Sequence, residues 1–355
     1  MKTLVLEKQG IKNNIAAIKQ RAGSAVVYAV LAGEARGAGT VELARLLRDE
    51  GIGRFAVGDL SEAQALRKAG LVEEEILMLR STADKEELGA LLDLNVVCTI
   101  GSVEAGLALN AVAEARSTVA EAHVQVDCGL GFGGYLAEET DKILSAYRNL
   151  PNVAVSGLYT QIMARGVGRK EVAARLERFW ALVKQLHAQE VETGLVHVSG
   201  SYALMRWDLS GMDGVRVGSA LLGRCRRSRG DGLLRVGYGE VPIQETHWLP
   251  KGYVLGGQEV VTIKRPTRVA VLPVGYHNGF GVSPVRDAGL WASLRRWWRA
   301  RNASVRIAGE KARVLGCIGP MQTLVNITDI KCGPGDLAYF DIDPLYARGL
   351  TRAYR

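Results

Sequence analysis

The chain has 355 residues, 48% of them apolar, and a formal charge of +8. That length can bury a large core and suffices for two domains, and the absence of any low-complexity tract speaks against disorder. Five scattered cysteines without CxxC spacing argue against a disulfide framework or a zinc site, and no stretch reaches the roughly 18 apolar residues of a spanning helix.

The N-terminus, MKTLVLEKQGIKNNI, lacks an apolar run of leader length, so a soluble cytoplasmic protein with reduced thiols is expected. The basic excess is concentrated at 224–229 and 295–301. It has no helix-turn-helix, zinc-finger or aromatic RNA-binding signature beside it, and no nucleic-acid partner is expected.

In chain order, helical periodicity at 10–22 precedes a β-branched run at 25–30. Further strand-like runs follow at 54–57, 75–78, 96–100, 122–126, 154–158, 195–198 and 214–217, separated by helical stretches. Eight such alternations predict an α/β fold, a parallel (β/α)8 barrel whose ligand chemistry sits at the C-terminal strand ends. In the helix predicted at 61–69, Ser61 is expected as N-cap and Glu62 as a carboxylate favoured by the helix dipole. After Gly223 the texture becomes strand-like at 253–255, 259–263, 268–273, 303–307, 311–314, 323–327 and 337–340, with glycine turns. The expected organisation is a barrel over 1–223, a linker at 224–231 and a mainly β domain over 232–355.

The phrase YAVLAGEARGAG at 28–39 opens the first βα unit. Collinear with it are FAVGDLSEA at 55–63, the segments 124–134, 157–161, 197–203 and 214–223, VAVLPVGYHNG at 269–279 and the segment 314–328. Together these resemble the pyridoxal-phosphate-dependent alanine racemases over nearly the whole chain. The resemblance implies the barrel followed by the β domain, and a homodimer in which a tyrosine of one subunit serves the other's site. That tyrosine falls on Tyr276.

The resemblance also marks losses. Where the family carries the lysine that forms an imine with the cofactor, this chain has Ala32. The carbamylated lysine falls on Gln125, the arginine that positions the tyrosine on Phe132, the ring-ordering histidine on Gln161 and a phosphate-binding tyrosine on Arg36. Retained by the same alignment are the phosphate-contacting Ser201, Arg216 opposite the pyridine nitrogen, the Gly218-Ser219 backbone grip and, at a longer spacing, Tyr346. Glu34 adds a carboxylate that the family lacks.

A positioned acid or base contributes about 10²–10⁴-fold to a rate, and losing the imine lysine removes the covalent anchor as well. No covalently bound cofactor and no metal site are expected. Lys264 and Lys311 sit in exposed-looking strand or turn contexts and are not expected to substitute. The leading expectation is therefore a ligand-binding or regulatory pseudoenzyme for an anionic or phosphate-bearing small molecule. Its alternatives are an active racemase or other isomerase, with pyridoxal phosphate or without a cofactor, and a membrane-peripheral or scaffolding subunit. The last rests on 290–301, LWASLRRWWRAR, whose apolar residues fall on one helical face and whose arginines fall largely on the other, a pattern for a membrane surface or protein partner.

Overall fold

The computed structural model describes residues 1–162, 168–207, 211–225, 231–256, 260–283, 289, 294 and 303–355. The chain divides into two compact units, one of residues 9–235 and the other of residues 1–8 with 236–355.

In the first unit, eight parallel strands alternate with outer helices. After α1 (Lys8–Ala22) come β2 (Val26–Val30), the short α2 (Ala32–Arg36), α3 (Thr40–Asp49), β3 (Arg54–Val57), α4 (Leu60–Lys68) and β4 (Glu75–Met78). They continue with α5 (Lys85–Asp93), β5 (Cys98–Ile100), α6 (Val103–Ala115), β6 (Ala120–Asp127), the two-residue β7 (Tyr135–Leu136) and α7 (Thr140–Arg148). The unit closes with β8 (Val153–Gln161), α8 (Arg169–Ala188), β9 (Leu195–Ser199), α9 (Ser201–Leu204) and β10 (Gly214–Val217). Neighbouring strands run β4-β3-β2-β10-β9-β8-β6-β5, and a parallel bridge between Leu77 and Val97 draws the two end strands together into a nearly closed barrel. All eight expected strand runs are present as barrel strands. Their β-branched residues pack inside a ring of helices, which is why they read as short, nearly continuous apolar runs.

The expected cap of α4 is corrected: its N-cap is Asp59, not Ser61. Glu62 turns inward and takes the backbone N–H groups of Gly58 (2.9 Å) and Glu34 (3.0 Å), linking the ends of β3 and β2.

The second unit is a sheet of nine strands among the described residues. It contains β1 (Thr3–Leu6), β11 (Tyr238–Pro242), β12 (Glu245–Leu249), β15 (Thr267–Leu272), β16 (Ser304–Ile307), β17 (Glu310–Val314), β18 (Thr323–Asn326), β19 (Leu337–Asp341) and β20 (Thr351–Tyr354), with a separate hairpin of β13 (Val254–Leu255) and β14 (Val261–Thr262). The N-terminal residues were expected in the barrel. Instead β1 lies between β11, antiparallel with Thr3 opposite Glu240, and β20, parallel with Thr3 opposite Thr351. An apolar four-residue run with no helix before it is best satisfied by two such ladders, one on each edge.

Candidate functional site

The C-terminal ends of β2, β8, β9 and β10 carry most of the residues singled out in the barrel. Immediately after β2 the backbone enters a left-handed turn: Gly33, Glu34, Ala35 and Arg36 have φ of 70°, 52°, 53° and 57°. Three consecutive non-glycine residues in that region are strained, by about 1–2 kcal/mol each. The turn is tied down by the Glu34 N–H to Glu62 bond and by backbone bonds from Gly37 to Gly33 (3.1 Å) and from Gly39 to the Glu34 carbonyl (2.9 Å). Ala32, at its start, is half-buried and presents only a methyl group. The turn brings the Arg36 Cδ to 3.8 Å from where a Cβ on Gly218 would stand, and the Arg36 Nε is buried with no hydrogen-bond partner among the described residues.

On the far side of that contact the Ser201 hydroxyl, buried at the start of α9, accepts the N–H groups of Gly218 (3.0 Å) and Ala220 (3.1 Å). Cys225 is near, hydrogen-bonded to Ser219; burial, with the Asp231 carboxylate second, pushes its thiol up to about 11. Arg36, Ser201, Gly218 and Ser219 thus lie together at the ends of β2, β9 and β10.

Arg216, on β10, is 1% exposed. Its guanidinium lies 4.2 Å from the centroid of the Tyr159 ring and donates to the Thr160 carbonyl (3.0 Å), to His197 Nδ1 (2.9 Å) and, more weakly, to Gln161 Oε1 (3.4 Å). An arginine can only donate, so His197 Nδ1 is the acceptor and its Nε2 carries the proton. That N–H then faces His123 Nδ1 at 2.9 Å. Both imidazoles are therefore neutral, in agreement with their acidity: burial, then the Arg216 charge, brings His123 down to about 3 and His197 well below its ordinary range. Burial likewise lowers Arg216 to about 10, which leaves it charged at neutral pH. Tyr28 stacks on His197 with centroids 5.3 Å apart, and its hydroxyl donates to Glu75.

This interior layer was largely missed. His197 enters the sequence reading only within the segment 197–203, and His123, Tyr28 and Tyr159 not as individual residues. The signal was the strand period of two on β6, where His123, Gln125 and Asp127 alternate with apolar Val124 and Val126. The close approach also needs Gly157, since a Cβ there would stand 2.6 Å from the His123 ring.

Gln125 donates to the Gly133 carbonyl (3.1 Å) and receives the Tyr159 hydroxyl (3.3 Å), so it braces the loop after β6 rather than carrying charge. Phe132, expected in the pocket, stands 77% exposed on that loop. Its segment is folded around Asp127, whose carboxylate accepts from the Gly129, Leu130 and Gly131 N–H groups. Glu34 is exposed.

In the β unit Tyr276 opens a short 3₁₀ turn and is 47% exposed. The structure brings it together with the segment of Tyr346: Asn278 Nδ2 donates to the Arg348 carbonyl (3.1 Å), and at Gly279 (φ 93°) a Cβ would meet the Tyr346 carbonyl at 2.3 Å. Lys264 and Lys311 are exposed, as expected. The segment 290–301 lies outside the described residues, apart from Leu294, as does most of the expected linker.

Ala32 offers no amine at the position where the family resemblance puts the imine-forming lysine. Every lysine of the barrel unit, namely Lys12, Lys19, Lys68, Lys85, Lys142, Lys170 and Lys184, lies on an outer helix, and none on a strand or in a loop at the barrel's C-terminal end.

A nearly closed eight-stranded parallel barrel, with a mainly β unit built from residues 236–355 and the N-terminal strand, defines a fold type in which the sequence can be placed. Residues 6–225 match the family model described as alanine racemase, N-terminal domain, and residues 238–340 the one described as alanine racemase, C-terminal domain. The chain belongs to the alanine racemase family. It is 27% identical over 329 residues to an alanine racemase of Desulforamulus reducens, covering 91% of this chain and 84% of that one. It is 28% identical over 338 residues to an alanine racemase of Carboxydothermus hydrogenoformans, with 93% and 86% covered. Among solved structures, the alanine racemase of a D-cycloserine-producing Streptomyces lavendulae superposes with a TM-score of 0.86 at 19% identity, covering 100% of this chain and 97% of that one.

Proposed function

We propose that this member of the family binds a small anionic or phosphate-bearing molecule at the C-terminal end of its barrel and does not racemise amino acids. The observation that carries the reading is Ala32, together with the absence of lysine from every strand and C-terminal loop of the barrel unit. Without an amine there is no covalent anchor and no proton carrier on that face of a substrate. Gln125 and Phe132 supply no charge in compensation. What supports affinity for an anion is the cluster of Arg36, Ser201, Gly218 and Ser219, with the buried Arg36 Nε free to donate. Arg216 adds a fixed positive charge behind it. The chain acts in this reading as a homodimer, with Tyr276 presented to the other subunit's barrel.

A second reading, an amino-acid isomerase, is favoured by the names of the relatives and by Tyr276. An assay of L- and D-alanine interconversion with added pyridoxal phosphate separates the two. The proposal expects no turnover above the uncatalysed rate, together with saturable binding of inorganic phosphate by calorimetry that Arg36→Ala weakens about tenfold, the loss of one charge-assisted contact. Turnover would establish the isomerase, and phosphate binding indifferent to Arg36→Ala would remove the anion site.

A further inference from the structure

The cluster just described lies where the barrel strands end. At the opposite end, where they begin, is a cavity of about 680 Å³ that the reading above does not use. Arg54 and Glu75 are the first residues of β3 and β4, Lys19 reaches in from α1, and Glu73 comes from the loop before β4. Val27 and Ile52 supply an apolar lining between them.

The charges are arranged so that each sign is partly used. The Arg54 Nε donates to Glu75 (3.1 Å) and Lys19 Nζ donates to the Glu50 carbonyl (2.5 Å). The two terminal nitrogens of Arg54, further protons on Lys19 and the whole carboxylate of Glu73 make no hydrogen bond or ion pair among the described residues. A simple anion placed here would meet Glu73 and Glu75, and a simple cation would meet Lys19 and Arg54. A molecule that carries both charges a few bonds apart, with an apolar body, opposes neither set.

We propose that this cavity is a second binding site, for a zwitterionic α-amino acid with an aliphatic side chain. Its carboxylate meets Arg54 and Lys19, its ammonium group meets Glu73, and its side chain lies against Val27 and Ile52. A planar guanidinium with two open donors suits a carboxylate, and an exposed carboxylate without a partner suits an ammonium group. The volume exceeds that of a single amino acid, so water fills the remainder and affinity is modest.

The test is calorimetric titration of the full-length protein with L-leucine, and separately with N-acetyl-L-leucine and L-leucinamide, which each keep one charge. L-Leucine is expected to bind saturably and at least about tenfold more tightly than either relative, one charge-assisted contact being worth about that factor. Glu73→Gln, at an exposed position that leaves the fold intact by thermal melting, is expected to lower leucine affinity about tenfold, and Arg54→Gln at least as much. Excess inorganic phosphate, bound at the other end, leaves leucine binding unchanged. Three ligands that bind alike, no saturable leucine binding, an indifferent Glu73→Gln or displacement by phosphate would each overturn the assignment. None of these outcomes depends on whether the protein racemises alanine.

Discussion

The barrel's interior layer and its strand-end loops are built on opposite principles, one of buried, mutually bonded polar groups and the other of solvent-facing turns. Inside, Tyr28, His123, Tyr159, His197 and Arg216 form a continuous set of ring contacts and hydrogen bonds. At the strand ends, the positions that resemble the family's reactive residues hold Ala32, Gln125, Phe132 and Gln161, which carry no charge. The contrast separates two demands on one scaffold. A buried arginine is stable only while its acceptors stay in place, because an uncompensated buried charge is heavily penalised. A strand-end loop facing solvent can lose a lysine or an arginine with little consequence for folding. On the reading proposed above, a change at the strand ends would therefore leave the layer beneath them intact.

That division can be broken most forcefully from inside. His197→Leu leaves the Arg216 guanidinium and His123 Nδ1 without their partner, and a loss of about 3 kcal/mol or more in unfolding free energy is expected by denaturant titration. A loss under about 0.5 kcal/mol would mean that the interior network does not hold the barrel. Gly157→Ala pushes a methyl into the His123 ring and should reduce stability by about 1–3 kcal/mol.

Acid probes the same layer. His123 is held down to about 3 in the folded chain, against 6.5 for a free imidazole. Above 6.5 neither state is protonated and this group contributes no pH dependence. Between 6.5 and about 3 the unfolded chain takes up a proton that the folded chain refuses. Stability therefore falls as pH falls through that window, by about 1.4 kcal/mol per pH unit for one such histidine. His123→Gln should flatten the slope in melting experiments, although its own stability will be lower throughout. The smallest effect is expected at the strand ends: Phe132→Ser, on an exposed loop, should change stability by no more than about 0.5 kcal/mol.

Much of this arrangement was legible in the sequence. The eight barrel strands follow from β-branched runs spaced by helices, and the loss at Ala32 is visible in one phrase. Less legible were the strands that depend on distant partners. β1 is four residues whose neighbours are more than 230 positions away, and β12, Glu-Thr-His-Trp-Leu, has no apolar alternation to announce an edge strand. The interior network was hidden for a related reason. A histidine on β6 acquires meaning only when β9 brings His197 beside it and β8 contributes a glycine at the same level. The motif marks Ser201, but not the double acceptance of its hydroxyl from Gly218 and Ala220, which depends on the turn after β10.

Whether any lysine holds the aldehyde is measured directly by the intact mass of the protein after incubation with equimolar pyridoxal phosphate and reduction with borohydride. The expected result is an unchanged mass with no imine absorbance beforehand. A stoichiometric adduct mapped to a single lysine would contradict it and return the chain to the racemases.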